Sequence, residues 1–382
     1  MIDSLILFAR KLLVKLVAVF AAFIPGIAFA IQPYNLPVGV TETSKEIFDL
    51  HMFGFWISFA IGVFVFAIML WSIIFHRKSV RPTPAKFSHS LKLEILWTVV
   101  PIIILVALMI PATQVLTRTH DSSNAEIDIK ITGYQWRWHY EYLDERVKFF
   151  SNINTPEEQI SNQEEKTAEY LLEVDKEIVI PVNTKVRFLL TSADVLHAWW
   201  VPDLGVKKDA IPGFINEMWT IVDEEGVYRG QCAELCGTRH AFMPIVVRAV
   251  SRPEYDDWLA ERQQGAEEEA ALAQKADWTP EELLERGKQV YSINCIACHQ
   301  TSGKGLPPAF PALIGSSVVL GPKAAQIDIL LNGRSGTTMQ AFGALLSDSD
   351  IAAVITHTRN SWGNSGQDQT VFPQDVAAQR SK

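Results

Sequence analysis

Two long apolar runs limit this chain more than any other feature. His51–Phe75 carries no formal charge beyond any on His51, and a second run extends from Ile95 to about Leu116. About 20 apolar residues suffice to cross a bilayer. Pro101 and Pro111 lie inside the second run, which a spanning helix tolerates when neighbours satisfy the freed carbonyls. Between the runs stand Arg77, Lys78, Arg81, Lys86 and Lys92, with no acid before Glu94. That excess of cations predicts a cytoplasmic loop, with both mature termini outside. Residues 1–30 agree: Arg10, Lys11 and Lys15, an apolar stretch from Leu16 and Ala28-Phe29-Ala30 have the form of a cleaved export signal. Glu94 opens the second span, where a carboxylate is either a functional group or one resting at the interface.

The remaining residues have a different character. The 382 residues allow about two or three domains. An apolar content of 48% excludes disorder as the main state, and four cysteines are too few for a disulfide scaffold. No basic domain exists to neutralise phosphates, so no nucleic acid is expected as a partner. Residues 121–250 hold 22 acidic and 13 basic side chains, a balance that suits a basic partner or a merely solvated face. Here the apolar period falls to two: Ile127, Ile129 and Ile131 alternate with polar residues. Further runs at 177–181, 186–191, 218–222 and 245–250, separated by turn signals, predict an antiparallel β-sandwich or barrel. Ser151–Glu169 is polar and reads as a surface loop. Residues 251–277 form an acidic linker, either a helical spacer or a flexible one. A compact domain follows over 278–362, and the polar tail 363–382 is expected to lack fixed structure.

The chemistry-bearing residues of the β domain cluster near its end, in Cys232-Ala-Glu-Leu-Cys236-Gly-Thr-Arg-His240-Ala-Phe-Met243. His197 lies upstream in Asp194-Val-Leu-His197. Thiolate and thioether are soft ligands and imidazole suits copper. Two Cys could bridge two copper ions, whereas a single blue copper needs only one. A Cys232–Cys236 disulfide and a zinc site remain open on spacing alone.

A second site follows in Cys295-Ile-Ala-Cys298-His299, the attachment pattern of c-type haem. Two thiols add to the two haem vinyls and the adjacent His reaches the iron. A thioredoxin-like pair or half a zinc site is the alternative, but no βαβ pattern and no second Cys pair accompany it. Thr279-Pro-Glu-Glu predicts the start of the helix that leads into it. Met339 is the only Met after His299 and His357 is its rival as the second axial ligand.

The pattern C-x-E-x-C-G-x-x-H-x-x-M with an upstream D-V-x-H resembles the dinuclear copper (CuA) site of cytochrome c oxidase subunit 2, and the likeness covers roughly residues 40–250. It implies a multidomain membrane protein: a two-helix transmembrane hairpin and an all-β cupredoxin sandwich, followed here by a small all-α cytochrome c domain. By position the copper ligands would be His197, Cys232, Cys236, His240, Met243 and the Glu234 carbonyl, while the Glu234 carboxylate would serve a magnesium shared with subunit 1. Gly133–Tyr142 resembles the family's aromatic patch, with Trp136 receiving electrons, although ordinary strand packing would also place Trp136 and Trp138 two apart. Glu94 matches a carboxylate at the mouth of the proton channel. Phe214 departs from the family pattern, which commonly has Arg after Asp209-Ala-Ile-Pro-Gly. Met339-Gln-Ala-Phe and Pro307–Leu313 resemble a class I cytochrome c, with Gln340 in place of the usual Pro. The expected function is electron input to a bacterial respiratory haem-copper oxidase, from cytochrome c or a similar periplasmic donor, through haem c and CuA, to the subunit 1 centre where oxygen is reduced with proton pumping. Subunits 1 and 3 and inner-membrane lipid are the implied partners. A quinol oxidase subunit shares the fold but would lack the copper ligands, and a free-standing membrane electron shuttle is the remaining alternative.

Overall fold

The computed structural model describes residues 35–83 and 86–381, so the export-signal reading of residues 1–30 lies outside the described residues. The chain divides into two units at Val115. The first unit carries helix α1, Glu42–Phe75, and the greater part of α2, Leu91–Thr119. Both exceed the apolar runs that predicted them. Thr41 explains the early start of α1: it accepts from Ser44 N at 2.9 Å, while Thr41 N donates to Ser44 Oγ at 3.0 Å. This reciprocal cap satisfies two otherwise orphaned donors. Pro101 and Pro111 are accommodated within α2. Leu, Ile and Val side chains are exposed along both helices, joined by Phe in α1, as a surface made for lipid would be.

The second unit contains ten strands in two sheets: β1 Ile127–Tyr134, β2 Arg137–Tyr142, β3 Val147–Ser151, β4 Ile178–Pro181, β5 Val186–Ser192, β6 His197–Val201, β7 Val206–Ala210, β8 Asn216–Thr220, β9 Gly226–Cys232 and β10 Pro244–Val250. Their spatial orders are β3-β2-β1-β5-β8 and β4-β10-β9-β6-β7. The sandwich was expected, but its sheets are mixed, not antiparallel. β1 runs parallel to β5, and β4 runs parallel to β10. A parallel pair needs a long crossover, and the chain between β1 and β5 supplies one by passing through both sheets. Register places Ile129 opposite Phe188 and Ile131 opposite Leu190, all fully buried. Each such side chain stabilises the fold by about 1.5–3 kcal/mol relative to exposure. Tyr142 Oη joins the sheets, donating to Val179 O at 2.7 Å and accepting from Val179 N at 2.9 Å.

The 251–277 segment is largely one helix, α3, Arg252–Gln274, capped by Ser251. Tyr255, Trp258 and Leu259 are buried, with the Trp258 ring 5.3 Å from Tyr142 and 6.4 Å from Phe149. Near its far end Glu269 accepts from Arg286 Nη1 at 3.0 Å. This linker is therefore a helix anchored at both ends.

The helical domain follows: α4 Pro280–Asn294, α5 Lys323–Asn332, α6 Asp348–Asn360 and α7 Pro373–Arg380. The predicted start at Thr279 carries a capping box with Glu282, at 2.9 and 3.2 Å. α4 and α6 cross over a core that includes Leu283, Val290, Ile351 and Ile355. The tail corrects the expectation of a structureless end: α7 is packed, and Val371 and Val376 are fully buried. Its polar composition conceals those two anchors. The tail also satisfies Arg359, which is fully buried and donates to the carbonyls of Gln367, Asp368 and Gly321.

Candidate metal centre and cofactor cavity

The first site forms where two strand ends meet. β6 begins with His197, and β9 ends with Cys232 opposite Trp199. The loop to β10 is clamped at its base, where Cys232 N donates to Met243 O at 3.3 Å and Ala233 N to Ala198 O at 2.9 Å. These ties bring together the donors singled out in the sequence. His197 Nδ1 and Cys236 Sγ each lie 3.9 Å from Cys232 Sγ. Cys236 Sγ lies 3.6 Å from His240 Nδ1 and 3.5 Å from Met243 Sδ. The Glu234 carbonyl stands 3.4 Å from Cys232 Sγ, while the residue itself is exposed. The two thiols are free, their sulfurs about twice as far apart as a disulfide bond would hold them.

Asp194 orients this cluster and was not assigned that task by the sequence. Its Oδ1 lies 2.9 Å from His197 Nε2, which leaves Nδ1 facing the sulfurs. Its Oδ2 accepts from Gln135 N at 2.7 Å. Such an outer partner fixes the tautomer and orientation of a ligating imidazole. Burial would lower the His197 pKa, but the hydrogen bonds with Asp194 and Cys232 more than offset it and raise the group. The bond between the thiols holds Cys232 down to about 4 and, with burial, pushes Cys236 far above the ordinary thiol range. One sulfur is thus poised to ionise first. Gly133 makes room beside the cluster: a Cβ there would stand 2.7 Å from the His197 ring.

The donor set fits copper. Two thiols, two imidazoles and a thioether are the soft and borderline donors that copper selects. A zinc site would close with four ligands, and here a thioether and a backbone carbonyl supply a fifth and a sixth donor.

The second site is a cavity of about 430 Å³ in the helical domain, lined among others by Cys295, Cys298, His299, Phe310 and Met339. His299 Nδ1 is tied to Pro311 O at 3.0 Å, which leaves Nε2 available to an iron. Burial lowers the His299 pKa, against the pull of that carbonyl, and favours the neutral, ligating form. Burial also raises Cys295 to about 12 and Cys298 above its ordinary value. His357 is absent from the cavity wall. Its ring lies 5.4 Å from Tyr291 and 5.8 Å from Trp362. A cavity lined by a Cys pair, a His and a thioether fits a covalently held haem.

Trp136 lies between the two sites. Its Nε1 donates to Cys236 O at 3.2 Å, where Gln135 Nε2 also donates at 2.7 Å. Glu94 lies in the first turn of α2, and the structure brings no ligand-type cluster to it among the described residues. Phe214 is exposed.

A sandwich that ends in this donor cluster, joined to a helical domain with a Cys-x-x-Cys-His cavity, defines a membrane-anchored electron-transfer protein. Comparison with known proteins agrees. Residues 127–250 match the family described as cytochrome c oxidase subunit II, periplasmic domain; residues 30–115 match its transmembrane domain; and residues 282–357 match cytochrome c oxidase, cbb3-type, subunit III. A probable cytochrome c oxidase subunit 2 of Rickettsia bellii is 42% identical over 238 residues, covering 61% of this chain and 87% of that protein. A cytochrome c oxidase subunit 2 of Arabidopsis thaliana is 41% identical over 242 residues, covering 60% of this chain and 90% of its own length. Among solved structures, the periplasmic domain of subunit II from Bradyrhizobium japonicum is 41% identical, covers 38% of this chain and 98% of its own, and aligns with a TM-score of 0.34. The chain belongs to the cytochrome c oxidase subunit 2 family, with a cytochrome c domain at its C-terminus. It is a subunit of a haem-copper oxidase, an oxidoreductase complex, and its role there is electron transfer. The family's periplasmic domain implies copper, and the cytochrome domain implies haem c.

Proposed function

We propose that this chain is the electron-input subunit of a bacterial respiratory oxidase, and that it carries electrons through its haem c domain to a dinuclear copper centre and on to subunit 1. His197, Cys232, Cys236, His240, Met243 and the Glu234 carbonyl would hold the copper pair. Cys295 and Cys298 would attach the haem, and His299 and Met339 would ligate its iron. Each group, when bound, supplies a reversible one-electron carrier, and Met/His ligation favours a high haem potential. The chain's own residues do the rest. Asp194 fixes the His197 ring, Pro311 fixes the His299 ring, and Trp136 stands between the cavity and the Cys236 carbonyl. The observation that carries this reading is the convergence of all six copper-type donors, with sulfur contacts of 3.4–3.9 Å, at the join of β6, β9 and the 232–243 loop.

The finer points belong to the same reading. The exposed Glu234 carboxylate suits a magnesium shared with subunit 1, and Glu94 suits the mouth of a proton channel there. The basic residues between α1 and α2 favour a cytoplasmic loop, both redox domains then lying in the periplasm. Subunit 3 completes the proton-pumping complex, lipid surrounds α1 and α2, and cytochrome c or a similar carrier is the donor. The test is to load the full chain in detergent with copper and haem, count both per chain and record its paramagnetic resonance spectrum. Two coppers sharing one unpaired electron, with one haem, are expected. One haem without copper, and Cys232 joined to Cys236, would overturn the copper assignment.

A further inference from the structure

Arg137 follows Trp136 and opens β2, yet its guanidinium donates to residues outside the sandwich. Nη1 donates to Ile293 O at 3.2 Å and to Asn294 Oδ1 at 2.9 Å. Both acceptors belong to the last turn of α4, directly before Cys295. The guanidinium carbon lies 3.7 Å from the Phe150 ring centroid and 6.0 Å from that of Phe342. Phe150 belongs to the sandwich and Phe342 to the helical domain, so the cation is held by an aromatic ring on each side. The residue is 5% exposed, and Nη2 has no hydrogen-bond partner among the described residues. Burial draws its pKa down to about 10, opposed mainly by Cys295, so the group stays charged at neutral pH. A buried cation survives only where its surroundings compensate it. Here a helix C-terminus does so with carbonyls that carry partial negative charge, and the two rings add cation–π attraction.

Beside it, Trp136 is 4% exposed. Its ring centroid lies 5.6 Å from that of Phe310, edge to face. Phe310 also lines the cavity that holds Cys295, Cys298 and His299. The aromatic face of the copper-type domain is therefore covered by the chain's own helical domain.

We infer that Arg137, with Asn294 as its acceptor, is a latch that holds the helical domain over Trp136 and so closes Trp136 to any external protein carrier. Such a carrier must deliver to the helical domain instead. The carrier's route rests on the function proposed above; the latch rests on the contacts alone. Lysine could not replace it, because its ammonium lacks the flat guanidinium that lies against the Phe150 ring while one of its nitrogens donates to both acceptors.

The test uses the full chain in detergent with copper and haem content measured on the same sample. Hydroxyl-radical footprinting with mass spectrometry reads the oxidation of each tryptophan. Trp136 should be protected like Trp199, which is fully buried, and not oxidised like Trp200, which is 36% exposed. Removing one partner of a buried charged hydrogen bond should shift docking toward the open form by roughly 30-fold or more. Arg137→Gln should accordingly raise Trp136 oxidation toward the Trp200 rate and leave Trp199 unchanged. Asn294→Ala, in the other domain, should do the same, and the double variant should add little to Arg137→Gln. Arg137→Lys should not restore protection. Oxidation of Trp136 at the Trp200 rate in the unaltered, fully loaded chain would overturn the latch while leaving the proposed function standing. So would continued protection in both Arg137→Gln and Asn294→Ala. If Arg137→Gln also exposes Trp199, the sandwich itself has loosened, and Asn294→Ala alone decides.

Discussion

Gly287→Ala sets two well-known effects against each other, and the structure decides between them. Gly287 lies in α4, and alanine is the better helix former by about 1 kcal/mol. Propensity alone therefore predicts a more stable protein. At this position, however, a Cβ would meet Ala353 O at 2.0 Å, Ala353 C at 2.6 Å and His357 Cβ at 2.7 Å. These atoms belong to α6, and two of them are backbone. The first contact must lengthen to about 3.4 Å, and only separation of α4 from α6 can achieve that. Overpacking of this kind costs about 1–3 kcal/mol, and a backbone obstacle places it at the upper end. The net expectation is a loss of about 2 kcal/mol after the propensity gain. For a domain of this size that corresponds to a melting temperature lower by about 8–16 °C. The assay is thermal unfolding of the haem-loaded full chain, followed by haem absorbance and by circular dichroism. An unchanged or raised melting temperature would refute the reasoning, because it would show slack where the helices cross.

Asp194→Asn should weaken copper binding about 10–100-fold in a chelator competition titration, since it disturbs the partner that orients His197; unchanged affinity would remove Asp194 from that task. His139 is lowered from 6.5 to about 4, chiefly by burial. The unfolded chain therefore binds more protons between those values, so stability falls as pH drops from 6.5 to 4 and no further below. His139→Gln should flatten that part of the acid limb in urea midpoints measured against pH, and an identical limb would contradict the assignment. Met339→Leu keeps the bulk in the cavity wall but removes the sulfur. The haem potential should fall in a spectroelectrochemical titration, whereas an unchanged potential would mean that Met339 does not ligate the iron.

What could be read in the sequence followed from local chemistry. The donor loop from Cys232 to Met243 is short enough that a hairpin-like return brings its ligands together, and His197 reaches it from the neighbouring strand. The cap at Thr279 and the span starting near Ile95 rested on equally local signals. Other features depended on residues far apart in the chain. The parallel pairing of β1 with β5 leaves no mark in an alternating pattern, because alternation reports burial and not direction. Val371 and Val376 lie in a largely polar run, and only the matching surface on α6 gives them a place to bury. Arg137 sits among aromatic residues in a strand and looks like one more solvated charge. Its acceptors, Ile293 and Asn294, lie more than 150 residues away. Asp194 was visible in the D-V-x-H pattern, but its contact with Gln135 N, which ties the turn between β1 and β2 to the loop between β5 and β6 beside the cluster, was not.

The helix α3 carries a geometric consequence. Trp258, seated in the sandwich, and Glu269, paired with Arg286 of the helical domain, are eleven residues apart. Eleven residues make about three turns of an α-helix, so the two anchors share one side of the rod. The spacing works like the phase of a gear, not like the slack of a leash. One inserted residue between the anchors would turn the helical domain about 100° around the rod axis and carry its face away from Trp136. Seven inserted residues would restore the angle to within about 20° but raise the domain by about 10 Å. Length in this segment is thus counted in turns, and the fused domain keeps its bearing only for a periodic set of lengths.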